Sequence, residues 1–438
     1  MAQNGPAARS AANSEASAPE AGEMPRPAIS PPEPGLTSAE LIRRAAALRE
    51  RLRAEQDQSE ARGHHSPALQ SAFVEAGFYR ALQPRRFGGY ELDYPSFYKA
   101  VLEIARGDPA VGWCLTLGAT HGALVAAHWP EAAQADFFGT DGHFIAPHRA
   151  QGPAGSCRAV AGGYIVDGTW NYASGIPYAT HFIGNVLFQS AGGAPQLVVF
   201  VVPRAHFTIL DDWGGDATLG MRASGSNSVR IEEAFVPAHH VIPAGPALWS
   251  AGDIAEGTHG TRLHRNPIYL GRMMGPYHAS LVTQVIGAAR AALDEFEDIA
   301  RARTTRFSPI VPWYQHVDVQ RPFGQALMLA DTAEALLVQG CEMYMAHCRR
   351  WEAEGAPFTV EDSLRLWGVL LNAGGLACDA IELLFRAASS AAAKKGQRIE
   401  RYWRDAAMYR SHSAAQFENL ASGLARLHFG LPMGMYGI

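Results

Sequence analysis

Gly220-Met221-Arg222-Ala223-Ser224-Gly225-Ser226-Asn227-Ser228-Val229-Arg230-Ile231-Glu232-Glu233-Ala234-Phe235-Val236-Pro237 is a glycine-rich loop running into an apolar segment. Segments of the same texture, rich in Val, Ile, Phe and Tyr, precede it at 157–170, 181–190 and 196–202. Glycine turns at Ala161-Gly162-Gly163 and Ala191-Gly192-Gly193 part them. Short strands at such spacing predict an antiparallel β domain that opens near Phe144 and closes near Pro237. Because Gly220–Ser226 lies between strands and opens no helix, it reads as a β-domain loop rather than a phosphate cradle.

On both sides of this domain the period changes to that of helices. Upstream, Thr37-Ser38-Ala39-Glu40 fits a capping box, and Leu41, Ala45, Leu48 and Leu52 follow at helical spacing. Further helices are expected at 66–78, 93–106, 109–129 and 131–138, with a turn-rich loop at Pro84–Tyr90. Downstream, a Gly/Pro-rich connection over 241–267 leads to four long helical patterns near 269–305, 314–353, 360–394 and 398–428. Leu327, Ala330, Ala333, Leu337 and Cys341 mark the buried face of the second. Four such helices predict a bundle. The expected fold class is α+β: a disordered tail (1–35), an N-terminal helical domain (36–145), a central antiparallel β domain (146–240), a connection (241–267) and a C-terminal four-helix bundle (268–438).

Composition excludes several functions. The 438 residues are 47% hydrophobic and 18% charged, which is not the balance of a disordered chain. A net charge of −5 argues against nucleic-acid binding. Five cysteines without a CxxC argue against a disulfide framework or zinc ribbon and point to a reducing, cytoplasmic setting. Cys341, His347 and Cys348 fall within one helix among apolar neighbours, so no metal site is expected. Residues 110–129 carry no Asp, Glu, Lys or Arg, yet their histidines, glycines and threonines suit a buried helix better than a membrane span. No basic-then-apolar leader is seen. There is no GxGxxG after a strand, no P-loop, no GxSxG and no HExxH.

The helix–β–helix order, together with Arg86-Phe87-Gly88-Gly89 and the Gly220–Asn227 loop, resembles the acyl-CoA dehydrogenase superfamily over about residues 37–430. Four stretches resemble more closely its flavin monooxygenase branch, the oxygenase components of two-component systems. They are Asp108-Pro109-Ala110-Val111-Gly112-Trp113 with His121, Gly168–Gly175, Gly220–Asn227, and Ile399-Glu400-Arg401-Tyr402-Trp403-Arg404-Asp405 with His412. Where dehydrogenases carry a Glu-Gly-Thr base, this chain has Arg410-Ser411-His412-Ser413. Glu295, Glu297 and Glu382 stay open as alternative positions for that base.

The resemblance implies reduced flavin, FMNH2 or FADH2, delivered by a separate flavin reductase that alone consumes NAD(P)H. O2 then adds to flavin C4a, and the hydroperoxide hydroxylates an aromatic, phenolic substrate. It also implies a homotetramer. Ser174 is the candidate hydroxyl beside flavin N5, and Gly175 lets backbone approach a flat ring. Trp170 either flanks that ring or fills the β core. His412 is the candidate base or peroxide-stabilising group, with Asp405 two turns earlier on one helix face. His121 is a polar group in an apolar run and must find a partner. Trp113 and His181 are candidates for the substrate pocket. Arg303, Arg306, Ser389 and Ser390 are candidates for the flavin phosphate, with solvated helix ends as the alternative. Nitrogen or sulfur oxygenation, a flavin dehydrogenase and a non-enzymatic binding subunit remain rival readings.

Overall fold

A computed structural model describes residues 28–150, 153–189, 193–244 and 252–433. Most of the expected tail, the tip of the turn at Ala191-Gly192 and part of the 241–267 connection lie outside these residues. The tail's end is folded: the Ile29 N–H donates to the Arg86 carbonyl at 2.9 Å, and Glu33 pairs with Arg44 at 2.8 Å.

The helical domain comprises α1 (Ser38–Ala47), α2 (Arg49–Arg62), α3 (Pro67–Glu75), α4 (Tyr94–Gly107), α5 (Pro109–Ala119), α6 (His121–His128) and α7 (Glu131–Phe138). Side chains cap the starts where the sequence placed them. Thr37 accepts from the Glu40 N–H, and Asp108 accepts from Ala110 and Val111. The apolar run 109–129 is two helices that meet at Thr120, and it is buried inside the protein.

The strands are β1 (Ser156–Val160), β2 (Gly163–Trp170), β3 (His181–Phe188), β4 (Gln196–Pro203), β5 (Thr208–Ile209), β6 (Val229–Pro237) and β7 (Val241–Pro243). They form one sheet in the order β5-β6-β2-β1-β3-β4-β7. Every pairing is antiparallel except β1 with β3, so the sheet is mixed. Trp170 is fully buried. Its Nε1–H donates to the Asn185 carbonyl at 3.0 Å, and its ring meets Phe182 and Phe200 edge-on. Of its two readings, the core one holds.

A short helix, α8 (His259–His264), leads into the bundle: α9 (Met274–Ala302), α10 (Val317–Glu354), α11 (Val360–Ala387), α12 (Arg398–Ser411) and α13 (Phe417–His428). The expected helix 398–428 is broken after Ser411, where His412 turns extended with φ −68° and ψ 137°. The third ends at Ala387 rather than 394, followed by Ser389 at φ 71°. α11 is also long and apolar enough to span a bilayer, but half of it is buried in the fold.

Replacing Trp170 by Ala should cost roughly 3–5 kcal/mol, the usual range for a buried tryptophan. A thermal or denaturant melt of the variant that matched the parent would contradict this placement.

Candidate active site

The buried wall of the site is α5. Its small residues allow close approach: a Cβ on Gly175, which has φ 90°, would lie 2.6 Å from the Cys114 carbonyl. Packing of the turn against α5 therefore requires a glycine at 175. On this turn the half-buried Ser174 hydroxyl bonds Ser226 Oγ at 2.6 Å, which bonds Ser224 Oγ at 2.6 Å. The Gly175 N–H donates to the Ser224 and Gly225 carbonyls at 3.0 Å. Three hydroxyls in series hold the first in place. Ser224 and Ser226 were not singled out from sequence, although both lie in the quoted loop.

Across α5, the Trp113 ring meets His412 edge-on with centroids 5.9 Å apart. His412 Nδ1 accepts from the Ala414 N–H at 3.1 Å. That partner assigns the neutral ring's proton to Nε2, which makes Nε2 a donor. Burial lowers the His412 pKa below the usual value, so the ring is neutral at pH 7. Asp405 makes no bond to His412, as their separation of two helical turns implies. Asp405 Oδ1 accepts from the Met221 N–H at 2.6 Å, and His412 has left the helix that carries Asp405.

Behind His412, at the first turn of α9, lies His278. Its ring stacks on Trp367 at 3.9 Å and is fully buried. Neither residue was anticipated, since one histidine in an apolar helix carries no spacing signal. His121 forms a second cluster. Its Nδ1–H donates to the Ala146 carbonyl at 2.7 Å. Its ring meets His148 and Tyr277 edge-on, His148 Nδ1 lies 2.6 Å from Tyr277 Oη, and its Nε2 lies 2.9 Å from Asn185 Oδ1. Tyr277 and His278 are neighbours in sequence, so the start of α9 stands between the two clusters. His181 belongs to neither: it packs against Phe137 and Phe144, and Thr180 Oγ1 holds its Nδ1. Among the described residues, its ring contacts are with Phe137 and Phe144 rather than Trp113.

Arg303 donates to the Ala388 carbonyl at 3.2 Å and lies over Trp313, which brings it beside Ser389 and Ser390. Arg306 and Ser390 are exposed. The serines stand on the turn after α11, not on a helix surface. Arg303 follows His278 by 25 residues of α9, about 37 Å along the axis at 1.5 Å per residue. Within one chain, these phosphate candidates are thus at the opposite end of α9 from His412.

The carboxylates left open as dehydrogenase bases all have partners. Glu295 pairs with Arg53 at 2.9 Å, Glu297 pairs with Arg301 at 2.7 Å, and Glu382 accepts from Trp403 Nε1 at 2.8 Å. A surface group, Asp136 with His239 and His240, joins α7 to the end of the sheet through contacts of 2.8 and 3.1 Å. Its three ligand atoms lie within 4.8 Å of one another, a grouping the sequence reading did not foresee.

Residues 279–417 match the family model described as "Acyl-CoA dehydrogenase, C-terminal domain". The chain is 28% identical over 401 residues to the flavin-dependent monooxygenase oxygenase subunit HsaA of Rhodococcus jostii, covering 88% of this chain and 96% of that protein. It is 24% identical to the oxygenase component of p-hydroxyphenylacetate 3-hydroxylase from Acinetobacter baumannii, covering 82% and 81%. The solved structure of XiaF from Streptomyces with FADH2 and glycerol superposes with a TM-score of 0.81 at 22% identity, covering 92% and 98%. The fold is acyl-CoA dehydrogenase-like, and these named relatives include flavin-dependent monooxygenases.

Burial also makes the fold sensitive to acid. His65, His121, His128, His148, His181 and His264 are pushed to about 4 or below, chiefly by desolvation. Unfolded, each would take up a proton near 6.5, so between pH 6.5 and 4 the unfolded chain binds more protons and stability falls as pH falls. Asp108 and Asp405, raised to about 7 and about 6, act in the opposite sense but are outnumbered. Melting temperatures across this window should drop steadily toward pH 4; a flat profile would contradict the assigned burial.

Proposed function

We propose that this chain is the oxygenase component of a two-component, reduced-flavin-dependent monooxygenase that hydroxylates an aromatic, phenolic small molecule. One observation carries the reading: the turn that bears the Ser174 hydroxyl relay packs on Cys114 of α5, and the preceding residue of α5, Trp113, meets His412. These residues fit a flavin and its substrate in kind. Ser174 offers a hydroxyl held by two further serines, Trp113 offers an aromatic surface, and His412 offers a neutral donor. The relatives named as oxygenase subunits support the same chemistry and a separate reductase.

When bound, reduced flavin supplies the electrons that activate O2 and delivers one oxygen atom to the substrate. Ser174 would hold the flavin's edge, with its hydroxyl bonded to Ser226. His412 donates Nε2–H to an oxygen that gains negative charge. A fixed donor in a water-poor site stabilises such charge without having to reorient. This favours the stabilising role over the basic one, because Nδ1 is already occupied by Ala414. Buried Trp113 excludes water from the reacting groups.

The corner formed by Arg303, Ser389 and Ser390 serves a flavin phosphate only if a second copy brings it to the site. We therefore include a homotetramer in the proposal, in the cytoplasm, where the five free cysteines stay reduced. The partnered glutamates weigh against the dehydrogenase reading.

Removing the His412 donor by His412→Ala should lower the rate of hydroxylation about 10²–10³-fold, the usual effect of losing one such donor. Full retention of hydroxylation would dismiss the role. Ser174→Ala should leave reduced-flavin oxidation running but shift its oxygen product from hydroxylated substrate to hydrogen peroxide. A product ratio equal to the parent's would remove Ser174 from the site.

A further inference from the structure

Both ring nitrogens of His278 are buried without a hydrogen-bond partner, and so is Nε1 of Trp367, the indole on which it stacks. Buried polar atoms in native proteins are nearly always paired, and leaving one unpaired costs about 1–3 kcal/mol. Three unpaired atoms on two touching rings are therefore unusual. Polar side chains near them are few. Trp367 is packed with Met274, Leu364 and Leu371. Among the described residues, His412 is the one titratable group whose charge is felt at His278. Among the described residues, no carboxylate, lysine or arginine pairs with either histidine. His412 itself is half-buried, at the turn that follows α12.

We propose that His278, with Trp367, anchors the substrate, and that the group it holds is an uncharged oxygen substituent, a hydroxyl or carbonyl remote from the atom that is hydroxylated. This rests on the monooxygenase reading and narrows it to a substrate class. A neutral imidazole offers one donor and one acceptor, and the indole adds one donor. Together they match an oxygen that can accept two hydrogen bonds and donate one. They do not match a carboxylate, whose burial needs a cation that this cluster lacks. The stacked rings supply the flat apolar surface that an aromatic substrate lies on. His278 is thus a positioning residue for the substrate, and the reaction itself stays with Ser174, His412 and the flavin.

The test is equilibrium dialysis under anaerobic conditions, with reduced FMN or FAD present, using two phenols of matched size. One is 4-hydroxyphenylacetone, which ends in a ketone; the other is 4-hydroxyphenylacetate, which ends in a carboxylate. The ketone should bind at least about 10-fold tighter. His278→Phe, which keeps a ring on Trp367, should lose about 10-fold in ketone affinity and leave the carboxylate unchanged. His278→Gln, which restores a donor and an acceptor, should recover part of the loss. Equal affinity of the two phenols for the parent overturns the proposal, whatever the variants do. So does unchanged ketone affinity in a folded His278→Phe protein. Hydroxylation is assayed separately: ketone selectivity without any hydroxylated product would reject the monooxygenase reading while keeping the anchor. Hydroxylation without selectivity would do the reverse.

Discussion

The structure depends on two arginines buried where three parts of the chain meet. Arg401 and Arg404, on successive turns of α12, are almost fully buried. Both reach Glu60 of α2, at 3.1 and 3.0 Å. Arg401 also takes Gln56 Oε1 at 2.8 Å, and Arg404 takes Glu400 at 2.6 Å and the Leu219 carbonyl at 2.8 Å. Asp405 completes the junction by accepting from the Met221 N–H. Isolated buried ion pairs contribute little net stability, because desolvation offsets their attraction. Their value here is geometric. Removing one member would strand the others in a medium where an unpaired charge costs several kcal/mol. The network therefore admits one arrangement of α2, α12 and the Gly220 loop.

That arrangement positions the site. Gly220 lies so close to the Arg404 carbonyl that a Cβ would collide with it, so the loop rests directly on α12. From there the loop runs to Ser224 and Ser226, and hence to Ser174. The same helix, two turns beyond Arg404, releases the chain at His412 opposite Trp113. One rigid helix thus sets both halves of the candidate site. The break after Ser411 is what turns His412 toward α5, because a continued helix would carry it past.

The broad plan was legible because it is written in period and punctuation. The strand segments, the Thr37 cap and the four long bundle patterns all follow local rules, and the strands fall within a few residues of their expected places. The resemblance picked out His412, Ser174, Trp113 and His121, and the structure places three of these on or beside α5. What it missed is non-local. The parallel pairing of β1 with β3 is a matter of topology and leaves no trace in either strand. The break at His412 has no proline or glycine to announce it. His278 and Trp367 are 89 residues apart and become one feature only when α9 and α11 pack. Arg303 and Ser389, separate candidates for one phosphate, come together only through the Arg303–Ala388 contact, at the far end of α9 from His412.

The tautomer of His412 ties these levels together. Sequence alone allowed two roles, because an imidazole can give or take a proton. The extended backbone at His412 brings the Ala414 N–H back to Nδ1, and this contact consumes the ring's one acceptor. A backbone break, itself a consequence of where α12 ends, thus settles which nitrogen of the neutral ring carries the hydrogen. His412 offers a single donor, whereas His278 with Trp367 offers two donors and one acceptor. A phenolic substrate lying between them would meet a lone donor at one end and a donor–acceptor set at the other. That polarity orients an otherwise symmetrical flat ring, and a hydroxylase needs such orientation to place one carbon, rather than its neighbours, against the flavin.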